Sequence, residues 1–280
     1  MATTTQIVPP IRAASPLALW HLLSLDAPTV AVLWTWFIAR ASRIRLPPVQ
    51  LVAMALAVWS LYAADRLLDA RALDKPCTRP LAEFEARHLF HHRHAPAFLA
   101  GMTLAAVVLA TLLPSLNPAA IRLYLAEGAV LCVWFLILHT THFAQRLPKE
   151  IAVGLFFSAA VFIPTTVRQP AFRLALLPCA LLFAALCGLN CLFISAWEHE
   201  GTRLAPERLP TLAVVIAITG AALAIFDPNS PWPISFACAL ATILLLALDH
   251  HRHRLSRIHL RAAADLALLT PLLLLPFLQS

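Results

Sequence analysis

Residues 61–81 read LYAADRLLDARALDKPCTRPL, and the transition inside this stretch decides how the chain is built. Its first half continues an apolar run that begins near Pro48. Its second half is a charged segment carrying Asp65, Arg66, Asp69, Arg71, Asp74, Lys75 and Arg79. A run of this length and composition is a helix that crosses a bilayer and emerges at a polar face. On that helix Asp65 and Asp69 are four residues apart, so they stack on one side, a turn from each other. Two carboxylates at the mouth of a membrane helix are costly unless something positive meets them.

Outward from this stretch the same pattern repeats. Hydrophobic residues make up 60% of the 280-residue chain and charged residues 12%, and apolar runs recur along its length. Lipid leaves open strands and loops with unsatisfied backbone groups, so such a chain spans the membrane as helices. The alternating short segments of a transmembrane barrel are missing. Counting about 20 residues per crossing predicts nine spans, near 17–39, 48–68, 95–113, 119–141, 150–167, 173–196, 209–226, 232–248 and 260–278. Prolines and short polar stretches separate them. Residues 1–15 are polar and lack the features of a cleaved signal peptide, so a flexible N-terminal segment precedes one membrane domain, 16–280.

The formal charge of +7 comes almost entirely from arginine. Basic residues gather at Arg12, Arg66 to Arg93, Arg146, Lys149, Arg203, Arg208 and Arg252 to Arg261. Fewer lie between the alternate spans, at Arg40, Arg43, Arg45, Arg122, Arg168 and Arg173. This asymmetry puts the N-terminus and the first group on the cytoplasmic side. The charged loops after the second and sixth spans then share that side. Nucleic acid is not an expected partner, because the basic residues are not interleaved with aromatics as a strand-binding groove requires. The cysteines fall mostly inside apolar runs, where a thiol packs as a small hydrophobe, and no Cys-x-x-Cys pair occurs.

Two constellations carry chemistry. Oxygen ligands with room for water suit Mg²⁺, which takes one or two carboxylates plus substrate phosphates. Asp65 and Asp69 meet that description, and nearby arginines grip phosphate well. The stretch resembles the first aspartate-rich signature of the UbiA superfamily of intramembrane prenyltransferases, Asn-Asp-x-x-Asp-x-x-x-Asp followed by Arg-Pro-Leu. Asp65-Arg66 and Asp69 align with its second and third aspartates, and Arg79-Pro80-Leu81 with its tail. Leu61 and Tyr62 stand where the family has Asn-Asp. Leu25-Asp26-Ala27-Pro28 is similar to the opening of the family's first span. Gln145-Arg146-Leu147-Pro148-Lys149-Glu150 is similar to the basic entry to its fifth.

The resemblance implies an all-α, UbiA-like helical bundle around a lateral pocket open to lipid. It implies Mg²⁺-dependent prenyl transfer from a polyprenyl diphosphate to an apolar, aromatic acceptor in the membrane, and the leucine-, alanine- and arginine-rich composition points to a bacterial inner membrane. Asp65, Asp69, Glu198 and Glu200 are the implied metal ligands. Arg66, Arg79, Arg146, Lys149, Asn190, Arg203 and Asp26 are the implied substrate contacts. The second signature is irregular here. Glu198 and Glu200 are about 200° apart on a helix, so both reach one metal only if the helix stops there, as Gly201 allows. A divergent relative that binds or moves isoprenoid lipids without chemistry is the alternative.

The second constellation is histidine: His88, His91, His92 and His94; His139 and His142; His250, His251 and His253. The first group resembles one box of membrane di-iron desaturases and hydroxylases, where imidazoles leave positions open for oxygen, and a His-ligated membrane oxidoreductase is a further alternative. Arginines interleave two of the three groups, a pattern that suits an anionic lipid surface.

Overall fold

The computed structural model describes residues 15–71, 86–140, 149–198 and 206–278. They are helical, and no strand occurs among them. The expected N-terminal segment, apart from Ser15, lies outside the described residues, as does Cys77.

The chain begins with a bend. Helix α1 (Pro16–Leu22) and helix α2 (Asp26–Ala41) meet at 89°. Ser15 caps α1 by accepting from Ala18 N at 3.2 Å, with Pro16 at the first helical position where its missing N–H is not needed. Ser24 turns the corner with φ at +59°, an unusual conformation for a side-chain-bearing residue. The first apolar run is therefore two helices where the sequence pattern reads as one. The turn lets α2 run through the middle of the bundle while α1 lies across one end.

Helix α3 (Pro48–Ala70) returns antiparallel beside α2, and helices α4 (Ala86–Arg93) and α5 (Ala95–Leu112) pack on its outer side. Helix α6 (Pro118–Thr140) packs on α7 (Lys149–Arg168), and α7 packs along α8 (Arg173–Glu198). Helices α9 (Leu209–Phe226) and α10 (Trp232–His250) form the next hairpin, against α8. The last apolar run, read as one crossing, is broken at 268–270 into α11 (Arg257–Ala267) and α12 (Pro271–Leu274), where Pro271 cannot continue the ladder.

Seven of these helices or helix runs are long and apolar enough to cross a membrane, and the bent α1–α2 pair passes the same test together. α8 is the most enclosed of the seven and α5 the least. The core lies between α2, α7, α8 and α10. Trp34 and Phe183 pack there with ring centres 4.3 Å apart, and Trp34 Nε1 donates to Leu268 O at 2.7 Å, at the α11–α12 break. Lipid supplies no hydrophobic drive between helices, so close packing must hold them together. The α7–α8 contact shows how. Gly154 faces Gly188 and the carbonyl of Ala184 so closely that a methyl group at 154 would overlap that backbone. Ser158 Oγ donates to Ala180 O at 2.7 Å one turn further along. Both helices hold a proline, Pro164 and Pro178, inside the bundle where neighbouring groups surround the broken ladder.

Candidate functional site

Charged and polar side chains meet inside the bundle at the α1–α2 bend. His21 ends α1 and Asp26 begins α2, and each is 1% exposed. His21 Nδ1 lies 2.6 Å from Asp26 Oδ2, a spacing that needs a proton between them, carried by the imidazole. Asp26 also accepts from Ala27 N at 3.0 Å and sits in the first turn of α2, where the helix dipole favours a negative charge. Arg66 reaches in from α3, only 2% exposed. Its Nη2 donates to Asp26 Oδ2 at 3.1 Å and to the Tyr62 hydroxyl, and its Nη1 donates to His21 O at 3.0 Å. That carbonyl is an end group of α1, so the guanidinium satisfies a helix terminus as well as a carboxylate. Tyr62, one turn before Arg66, places its ring 4.2 Å from the guanidinium carbon.

The cluster continues into the second half of the chain. Asp265, on α11, brings Oδ2 to 3.8 Å from His21 Nδ1 and accepts at Oδ1 from Asn190 Nδ2 of α8 at 3.2 Å. Five helices are thus tied at one level by a chain of polar contacts from Tyr62 to Asn190. Isolated charges are expensive in such surroundings, and pairing is what makes them tolerable.

This cluster also fixes which helix ends share a side. At one level Arg66 of α3 and Asn190 of α8 join the same network, each in the C-terminal part of its helix. At the opposite level Arg168 Nε, ending α7, donates to Gln50 Oε1 at the start of α3 at 3.4 Å, and α8 begins directly beyond a short turn at 170–172. α3 and α8 therefore run parallel, and their C-terminal ends emerge on the same side. The end of α10 joins them there, because Trp197 Nε1 donates to Asp249 Oδ1 at 2.8 Å.

The residues singled out from the sequence fall in different places. Asp65 and Asp69 lie exposed along one face of α3, whereas Arg66 between them points into the bundle. Asp26 and Asn190 are buried in the polar cluster. Lys149 is exposed at the start of α7. Glu198 is the last residue of α8. The side chain of Glu198, and all of Arg79, Arg146, Glu200 and Arg203, lie outside the described residues. Asp265 and Arg261 were not among the residues read as functional, although an acid within the last apolar run is the same signal that singles out Asp26.

The first histidine group is partly absorbed by packing. His91 is fully buried, bonds Ser24 Oγ through Nε2 at 3.0 Å and stacks on Phe98 at 4.4 Å. His94 bonds Phe90 O through Nδ1 at 2.9 Å and stacks on the Phe90 ring. For Mg²⁺, the Asp65–Asp69 pair has the fitting chemistry: oxygen donors alone, a turn apart, on an exposed face that a phosphate can approach. No protein-family model, curated protein or solved structure matches the chain.

Proposed function

We propose that the chain is a membrane-embedded prenyltransferase that holds a polyprenyl diphosphate where α3 and α8 end and transfers the prenyl group to an apolar, aromatic acceptor. One observation carries this reading: the helix ends bearing Asp65, Asp69 and Glu198 stand on the same side of the bundle, as a shared site requires. The seven spans and the bent α1–α2 pair supply up to eight crossings; in this reading α6 is a further one, completing a UbiA-like bundle of nine with a lateral pocket. With the N-terminus inside, this side is the cytoplasmic face of a bacterial inner membrane. Arg79, Arg146 and Arg203 belong to connections that follow or precede helix ends on it.

In this reading Asp65, Asp69, Glu198 and Glu200 would hold Mg²⁺, which would supply positive charge against the diphosphate. Arg79, Arg146, Lys149 and Arg203 bind the remaining charge. The diphosphate leaves with the electron pair of its carbon–oxygen bond. The acceptor ring supplies the pair for the new carbon–carbon bond and then loses a proton. The apolar bundle keeps water from the allylic cation. Arg66 has a positioning role, since both its terminal nitrogens are engaged, by Asp26, Tyr62 and His21.

That commitment of Arg66, with Leu61 and Tyr62 in place of Asn-Asp, favours a second reading in which the same end binds isoprenoid lipid without transferring it. Membranes containing the protein, supplied with labelled farnesyl diphosphate and a panel of phenolic acceptors, separate the two. Transfer that requires Mg²⁺ and is lost with EDTA and in Asp69→Asn supports the enzyme. Retention of the labelled lipid with no product under any condition supports the second reading, and neither retention nor product refutes both.

A further inference from the structure

We propose that His21, Asp26 and Asp265 form a binding site for one divalent transition-metal ion of the Zn²⁺ or Mn²⁺ class, separate from the diphosphate site. Among the described residues these three side chains bring one donor atom each to within 4.8 Å of one another. Bonds of about 2.0–2.2 Å from nitrogen and oxygen to such an ion set its donors roughly 3–4 Å apart. His21 Nδ1 is 2.6 Å from Asp26 Oδ2 and 3.8 Å from Asp265 Oδ2, so these two pairs lie at or within a few tenths of an ångström of that range. The imidazole then carries its proton on Nε2 and offers the Nδ1 lone pair. One imidazole with two carboxylates suits Zn²⁺, Mn²⁺ or Fe²⁺ better than Mg²⁺ or a soft ion.

The surroundings are built as a supporting shell. Arg66 holds Asp26, and Asn190 Nδ2 holds Asp265 through its other oxygen, which aims Oδ2 at the triad. Asp265 Oδ2 is buried and accepts from no N–H or O–H donor, its carboxylate standing beside that of Asp26, and Asn190 Oδ1, in a side chain only 5% exposed, is likewise unpaired. Two buried carboxylates close together need a positive charge between them, and Arg66 offsets one. Arg261, one turn before Asp265, adds positive charge nearby. This positive charge weakens the affinity for a cation. The ion would join α11, far away in the chain, to the α1–α2 bend, the corner that sets the direction of α2.

The test uses the full-length protein in detergent, stripped with EDTA, dialysed, and equilibrated with Zn²⁺ or Mn²⁺ alone. Wild type is expected to retain about one ion per chain, and Asp265→Asn and His21→Gln to lose affinity at least tenfold. X-ray absorption of the bound ion is expected to show nitrogen and oxygen donors with a single imidazole. Asp69→Asn, which removes a ligand of the proposed diphosphate site, is expected to leave the retained ion unchanged. No ion retained by wild type, a spectrum lacking imidazole, or equal retention in properly folded Asp265→Asn and His21→Gln would overturn the site. The wild-type measurements decide the question even where a variant does not fold.

Discussion

Arg66 and Asp26 stand forty residues apart in the chain and form an ion pair of 3.1 Å with side chains 2% and 1% exposed. The pair joins α3 to the start of α2 and, through His21, to the end of α1. Removing Arg66 leaves Asp26 with only His21 and the Ala27 N–H to offset its buried charge, and breaking such a pair costs up to about 3–5 kcal/mol. Arg66→Met is therefore expected to lower thermal stability in detergent by that amount. Removing both charges together, in Asp26→Asn with Arg66→Met, is expected to recover part of the loss. A cycle in which the two single losses simply add would show that the residues do not act as a pair.

Asp65 and Asp69 occupy the opposite situation on the same helix. Both are exposed, where a polar or ionic contact contributes little, so Asp65→Asn and Asp69→Asn are expected to change stability by no more than about 1 kcal/mol. Under the proposed function each should reduce prenyl transfer by about 10²–10³-fold, the usual consequence of losing one preorganised charge contact. Melting curves and transfer rates measured on the same preparations separate the two effects. An exposed aspartate whose removal unfolds the protein would contradict the assignment of faces on α3.

Close helix approach makes a different kind of prediction. At Gly154 an added methyl meets the backbone of Ala184 and Gly188, which cannot swing aside as a side chain would. Gly154→Ala should force α7 and α8 apart and cost about 1–3 kcal/mol, as overpacking does. At Gly128 nothing lies within 4 Å of an added methyl, so Gly128→Ala on α6 should be neutral or stabilising by up to about 1 kcal/mol. Unfolding of the two variants in parallel gives the comparison directly.

How far the sequence carried the reading depends on what each residue signals by itself. The membrane helices were legible because twenty apolar residues in a row have few other uses, and the observed α3, α5, α8, α9 and α10 lie close to the predicted runs. The α1–α2 bend was not, because Leu23, Ser24 and Leu25 carry no proline or glycine. The turn is made by Ser24 adopting a positive φ in a site held by Arg66 and His91. Helix periodicity placed Asp65 and Asp69 on a common face, as observed. It equally places Arg66 a hundred degrees away, and that residue's partner, Asp26, lies on another helix. Asp265 was illegible as a member of the cluster for the same reason: a single acid in an apolar run announces that it has a partner without naming it.

Trp34 tests how the two halves of the bundle are joined. Its ring packs against Phe183 and Phe37 in the core, and its Nε1 donates to Leu268 O, a carbonyl freed where α11 ends and the chain turns towards α12. Trp34→Phe keeps most of the aromatic packing but removes the donor, leaving a buried carbonyl without this partner. The expected cost is about 1–3 kcal/mol. Trp34→Ala loses the ring as well, and its cost rises to about 3–5 kcal/mol. Because the lost bond sits at the α11–α12 break, Trp34→Phe should also speed backbone amide exchange at 268–273 relative to α8, as mass spectrometry of the detergent-solubilised protein would register. Equal protection of that segment in wild type and Trp34→Phe would mean that the break is held by Pro271 and the Thr270 hydroxyl bond to Ala237 O instead.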